Sequence, residues 1–494
     1  MMQNKVQLIA YVDRLSGADL PALNTLLTTE LSGLFSAVHL LPFFYPIDGS
    51  DAGFDPIDHQ LVDPRLGNWA DVKVLSEHCD IMADLIVNHA SAQTPQFIDV
   101  LNYGEESAYW SLFLKEQDIF PDGITDSQAE AIYRPRPNRC FSAKTLKSGQ
   151  QVNFWTTFTD NQIDINVEHP EGKAYLEQVL QLFADNGVKI IRLDAAGYAI
   201  KRANSSCFML DETFDFIDAL SQRANQLGME TIAEIHSHYQ TQIDVAKRVH
   251  RVYDFALPPL VLHAMSANDV DPLIHWLGIA PRNCLTVLDT HDGIGIIDAG
   301  PEGDKSGLLT PSQIDSLVES IHTNSGGQSR LATGAAANNL DLYQVNCSYY
   351  DALGRNDFHY LIARAIQFFS PGVPQVYYAG LFAMENDVEL LKKTQVGRDI
   401  NRPYLTPQEV HSRQQKPVVK GLMELIKLRN RHPAFDGKFE VSGGGTSLTM
   451  TWIKQDCQIA LAVDLASQTA SITSSIGDKE EALDIHQLAN READ

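Results

Sequence analysis

The chain has 494 residues, 44% hydrophobic and 20% charged, which excludes disorder and asks for a large barrel with insertions or two to four packed modules. Against 38 Lys and Arg stand 63 Asp and Glu, a net charge of −25 spread along the chain, which argues against nucleic acid and anionic membranes as partners. The six scattered cysteines form no CxxC pair, the N-terminal apolar run is too short for a signal peptide, and no stretch reaches a membrane-spanning length of roughly 18 apolar residues; a reduced, cytoplasmic protein is expected.

Short apolar, β-branched runs recur with helical stretches between them, the pattern of βα units around a parallel sheet. In chain order they fall at 6–12, 37–42, 81–87, 188–193, 230–234, 252–255, 285–288 and 373–378. Eight such runs close a (β/α)8 barrel, so the expected class is α/β. After the second run, DGSDAGFDPIDH has glycines at 49 and 53 for tight turning and Phe54 as a face on which a sugar ring can rest. After the third, the chain leaves for about eighty residues, through YRPRPNRC and aromatic-rich turns. Pro170 then opens a helix with Leu176, Val179, Leu180 and Phe183 on its apolar face, ended by Asn186 and Gly187. Another starts near Asp211, buries Phe214, Ile217, Leu220 and Leu227, and stops at Gly228. A second long excursion, rich in Gly, Asn and Ser, follows the seventh run. Excursions of this length inside a compact domain are usually functional or modular. From about Phe435 short alternating stretches (439–441, 448–453, 459–463) predict a small antiparallel β domain. The expected division is a barrel over 1–87, 168–293 and 355–434, insertions over 88–167 and 294–354, and a β domain over 435–494.

Three carboxylates stand at or beyond the ends of three strands: Asp194 in VKIIRLDA, Glu234 in METIAEIH and Asp292 in LTVLDTHD. The C-terminal ends of barrel strands converge on one mouth, so these residues are expected to meet there. Cleavage of a glycosidic bond needs such a set: one carboxylate to attack the anomeric carbon and one acid to protonate the leaving oxygen. A third can stabilise the cationic transition state. Alone, each reads as a helix cap or a salt-bridged side chain; the three together do not. Arg192 lies two residues before Asp194, on the same strand face, where a guanidinium would hold that carboxylate ionised and aimed. His89 in ADLIVNHA and His291 in DTHD sit at strand ends and suit hydrogen bonding to sugar hydroxyls, although a lone histidine there is more often structural.

The strings IRLDA, AEIH, DTHD and ADLIVNH resemble four signature regions of the α-amylase superfamily, glycoside hydrolase family 13. LPFFYPIDGSDAGFDPIDH, IYRPRP, RVYDFALPP, VLDTHDGIGIID, NLDLYQVN, FFSPGVPQVYY and GRDINRP narrow the resemblance to its sucrose phosphorylase branch, nearly up to Phe435. The resemblance implies a barrel with domains B and B′ after strands three and seven and a C-terminal β domain. It implies Asp194 as nucleophile, Glu234 as general acid/base and Asp292 as transition-state stabiliser. Asp51, Phe54, His89, Arg192, His291 and Arg402 match positions that hold the glucosyl ring, and Gln162 is a further substrate-binding expectation. Tyr133, Arg136, Asp341, Tyr343 and Gln344 match loops lining the fructose and phosphate subsite; Arg136, between stiffening prolines, suits an anion. The implied substrates are sucrose and inorganic phosphate, with no metal and no cofactor, and the sequence leaves room for a homodimer. Pro403 departs from the pattern, in which His often follows the arginine, so the acceptor is less settled than the chemistry. Rival readings are a phosphorylase of sucrose 6′-phosphate, glucosylglycerol or glucosylglycerate, a retaining hydrolase or transglucosylase, and a non-catalytic amylase-like module. The intact carboxylate set opposes the last.

Overall fold

A computed structural model describes residues 2–49, 51–134, 139–335 and 344–488. Eight parallel strands close a barrel: β1 (Gln7–Ala10), β2 (Ala37–Leu40), β3 (Asp80–Ile86), β4 (Val188–Asp194), β5 (Glu230–Ala233), β6 (Val252–Asp254), β7 (Cys284–Thr286) and β8 (Val373–Tyr377). Each overlaps one of the eight expected runs, with its ends shifted by at most two residues. Neighbours in space are neighbours in sequence, and β1 pairs with β8 to close the ring. The barrel interior carries a polar layer. Gln375 donates to Gln7 at 2.7 Å, and His39 lies 2.9 Å from the fully buried Asp84.

The helices follow from their caps and apolar faces. The one over Pro170–Asp185 has proline at its first position and buries Leu176, Val179, Leu180 and Phe183. The one over Asp211–Gln226 buries Phe214, Ile217 and Leu220, while Leu227 caps its end, partly buried.

The excursion after β3 is less turn-like than its sequence suggests. It holds a helix, Pro95–Tyr103, capped by Thr94, and a ribbon of Phe141–Thr145 with Gln151–Trp155. A second ribbon pairs His89–Ser91 with Gln162–Asp164, setting His89 opposite Asp164 and Ser91 opposite Gln162. The buried Lys201 ammonium pins this excursion to the loop after β4, contacting Asn88 Oδ1 at 2.7 Å, the Tyr198 carbonyl at 2.6 Å and Asp164 Oδ2 at 2.5 Å. The excursion after β7 also contains more helix than its Gly, Asn and Ser content indicates. Pro311–Asn324 forms fourteen residues of helix, closed by a Thr310–Gln313 capping box and anchored by Leu317 and Ile321. Ile294–Gly295 pairs with Gln344–Val345, which draws Gln344 back to the barrel.

The C-terminal sheet has five antiparallel strands in sequential order: β9 (Lys438–Gly444), β10 (Ser447–Lys454), β11 (Cys457–Asp464), β12 (Thr469–Ile476) and β13 (Lys479–Asp484). Three were expected; β12 and β13 carry too many Ser, Thr, Lys and Glu residues to signal themselves. Trp452 docks the sheet on the barrel domain, its indole N–H donating to the Phe369 carbonyl at 2.7 Å. Among the described residues, no helix is long and apolar enough to cross a membrane.

Candidate active site

The site grows from the register of β3 and β4. Arg192 lies opposite Asp84 across the two strands, and Asp194 is two residues further along the same face. The Arg192 guanidinium therefore reaches Asp84 at 2.6 Å and Asp194 at 2.8 Å with one nitrogen, and Glu234 at 3.2 Å with another. Glu234 is the first residue beyond β5. Burial would raise Asp84, but His39 and Arg192 hold its carboxyl at about 2. Arg192 is thus a fixed cation on an ionised base, with Asp194 and Glu234 gathered on its outer edge. Burial pushes the Asp194 carboxyl well above the usual range, Arg192 pulls it back, and Glu234 and Asp84 add to the rise.

Asp292 arrives from the loop after β7. Arg398 touches its carboxylate at 2.7 Å, His291 lies at 3.6 Å and Arg402 at 3.9 Å. Burial opposes ionisation, yet the Arg398 and Arg402 guanidiniums overcome it and hold Asp292 well below the usual carboxylate range. Asn401 fixes the backbone by donating to the Asp292 carbonyl at 2.7 Å, and Arg402 donates to the His291 carbonyl at 2.7 Å. Burial drives the His291 imidazole down to about 3, so that ring is neutral. Phe54 stacks on it at 4.9 Å, and the Phe54 carbonyl lies 3.1 Å from His89 Nε2. Gln162 bridges His89 at 3.1 Å and Asp51 at 3.2 Å.

These groups line one pocket of about 860 Å³, open mouth included. Asp51, Phe54, His89, Gln162, Arg192, Asp194, Glu234, His291 and Asp292 all meet there, as do Tyr133 and Gln344 at the rim. Tyr133 stacks on Phe208 at 4.5 Å, and Gln344 accepts from Arg398 at 3.1 Å. Arg402 is buried behind Asp292 and His291, as a support for them. Arg136, Asp341 and Tyr343 lie outside the described residues.

Arg398 and His236 of the wall were not singled out from the sequence. Arg398 stands four residues before Arg402 in the same GRDINRP string, and only the loop's folded path shows that it is the nearer to Asp292. His236 ends AEIH; its Nε2 lies 3.7 Å from Glu234, its Nδ1 3.1 Å from the fully buried Asp298. An i, i+2 spacing from Glu234 was the available signal for His236. Asp298, 64 residues from Glu234, had none.

The pattern of the α-amylase catalytic domain matches residues 32–254. The chain is 56% identical to a sucrose phosphorylase of Agrobacterium vitis, over 96% of this chain and 98% of that protein. It is 50% identical to a sucrose phosphorylase of Bifidobacterium adolescentis, over 94% and 92%. This chain belongs to the sucrose phosphorylase branch of the α-amylase family. The crystal structure of a sucrose 6F-phosphate phosphorylase from Thermoanaerobacter thermosaccharolyticum superposes with a TM-score of 0.90 at 36% identity, covering 98% of each chain. The barrel, its C-terminal sheet and its enzymatic nature accord with this branch.

Proposed function

We propose that the chain catalyses retaining phosphorolysis of sucrose to α-D-glucose 1-phosphate and D-fructose, with transglucosylation to other acceptors. The observation that carries this reading is the placement of Asp194 and Glu234 on one guanidinium at the pocket floor, with an ionised Asp292 beside them. Asp194 attacks the anomeric carbon while Glu234 gives its proton to the departing fructosyl oxygen, and the carbon–oxygen bond to fructose breaks. Glu234 acts here as the acid and Asp194 as the carboxylate nucleophile, both held on Arg192. An oxygen of dihydrogen phosphate then attacks the same carbon, returns its proton to Glu234 and releases Asp194. The Asp292 charge stabilises the oxocarbenium-like transition state of both steps. Residues 88–167 and 294–354 act as the two modules that wall the acceptor side. The two relatives named above, at 56% and 50% identity, are named for sucrose, whereas the structural relative at 36% is named for its phosphorylated form, which favours sucrose as donor. The six unpaired cysteines fit a reducing, cytoplasmic location.

Incubation with sucrose, with and without phosphate, tests this directly. Glucose 1-phosphate should accumulate in step with fructose only when phosphate is present. Free glucose formed equally in both arms would make the chain a hydrolase. Uncleaved sucrose would point to another donor.

A further inference from the structure

Behind the pocket wall a second carboxylate faces His236. Asp298 is fully buried, and its Oδ1 accepts from the Ser237 backbone N–H at 3.1 Å and from Gln242 at 2.7 Å. Its Oδ2 is left to the imidazole, 3.1 Å from His236 Nδ1. The ring is clamped flat on Phe255 at a centroid distance of 3.8 Å, so its direction is set. Its far side meets the pocket: Glu234, His236 and Asp292 each offer an atom within 4.8 Å of the others. Tethering by a buried carboxylate fixes both the tautomer and the aim of an imidazole.

In the mechanism proposed above, the arriving anion meets an unfavourable field. Once fructose has left, Asp194 is an uncharged ester, but Glu234 has lost its proton and Asp292 is ionised. We propose that Asp298 is a positioning residue for the phosphate step, holding His236 charged and aimed between Glu234 and Asp292, where the anion must approach. The groups facing the ring are Asp298 from behind, Glu234 and Asp292 from the pocket and Phe255 beneath. Burial works against the charged imidazole, but the hydrogen bond and charge of Asp298, then Glu234 and Asp292, raise it above its ordinary value. The charge is therefore fully present below the ordinary imidazole value and is lost as pH rises through the raised one.

Asp298→Asn in the full-length enzyme separates charge from shape. The amide still accepts from Ser237, but its NH2 now donates to Nδ1, which leaves a neutral ring. At pH 7.5 the KM for phosphate should rise about tenfold or more, and sucrose hydrolysis without phosphate should fall by a much smaller factor. The phosphate defect relative to wild type should shrink toward pH 5.5, where the ring regains its proton. His236→Gln should show the same defect without that recovery, and adding Asp298→Asn to it should cost nothing more. Equal losses of hydrolysis and phosphorolysis at every pH, or an unchanged phosphate KM, would overturn the proposal. If Asp298→Asn does not fold, His236→Gln decides: an unchanged phosphate KM sinks the idea, and a raised one with no recovery at low pH sustains it. An enzyme making no glucose 1-phosphate would fail the functional reading instead. The charge on His236 would then still be read from imidazole NMR, its titration falling by about one unit or more in Asp298→Asn.

Discussion

Arg192 concentrates the chemistry of the site because three carboxylates share its charge, and that sharing divides the roles. Asp84 takes the inner edge and stays ionised; Asp194 and Glu234 face the substrate. Asp194→Asn keeps an acceptor for the guanidinium, so it should fold, yet an amide cannot attack the anomeric carbon. Its kcat on sucrose should drop by far more than tenfold, and a folded variant retaining a tenth of the wild-type rate would remove Asp194 from the nucleophile role. Glu234→Gln should lose sucrose cleavage while keeping much of the first step on α-glucosyl fluoride, whose leaving group needs no proton. Equal damage on both substrates would show that Glu234 is not the acid. Asp194, Glu234 and Asp292 were legible in the sequence because each follows an apolar run at a strand end. Arg398 and Asp298 were not, because their contacts depend on where long loops return. A different residue-scale consequence concerns stability. Burial pushes the His59 imidazole down to about 4, against roughly 6.5 in an unfolded chain. Between those values the unfolded chain binds the extra proton, so native stability is whole above 6.5 and falls as pH drops toward 4. His59→Gln keeps a donor toward the Asp84 carbonyl, 3.1 Å from His59 Nε2, but cannot titrate. From pH 7.5 to 5 the wild type should lose about 2 kcal/mol more than this variant in urea unfolding. Parallel losses would mean that the imidazole charges without cost in the fold.

At the scale of elements, the strands were readable because a barrel strand buried on both faces is a run of apolar residues, whatever surrounds it. The inserted helices were not. Pro311–Asn324 buries only Leu317 and Ile321, too thin an apolar stripe to stand out among polar neighbours. The last two strands of the C-terminal sheet bury too few apolar side chains to show an alternating face. One short helix shows how tightly the elements around β7 and β8 are locked together. Tyr378–Leu381 brings Gly380 against the buried ion pair of Arg364 with Asp289, whose contacts are 2.7 and 2.8 Å. A Cβ at Gly380 would overlap both partners. Arg364 cannot retreat, being fully buried and bonded to Tyr360 at 3.1 Å and Gln367 at 2.9 Å. Gly380→Ala should therefore separate the pair and cost about 3 kcal/mol or more, seen as a clear fall in Tm. Because Asp289 stands three residues before Asp292, kcat should fall as well. A variant with wild-type Tm and kcat would show that the pair can slide aside.

The whole molecule sets a field that the site must work against. A net charge of −25 surrounds a reaction whose second substrate is an anion. Among the described residues the pocket itself mixes both signs: Arg192, Arg398 and Arg402 stand among Asp51, Asp194, Glu234 and Asp292. Sucrose is uncharged and does not feel the field, which makes it an internal control. Screening reaches roughly 30 Å at 0.01 M ionic strength but only about 8 Å at 0.15 M, so added salt removes most of the long-range repulsion while leaving contacts inside the pocket. The phosphate KM should accordingly fall about two- to threefold over that range in a salt of a bulky, weakly binding anion, and the sucrose KM should stay put. A phosphate KM that climbs with salt would carry the opposite meaning. It would show that the guanidiniums and the imidazole at the pocket wall attract the anion from a distance, so that screening weakens capture and the acidic surface is not what phosphate meets on its way in.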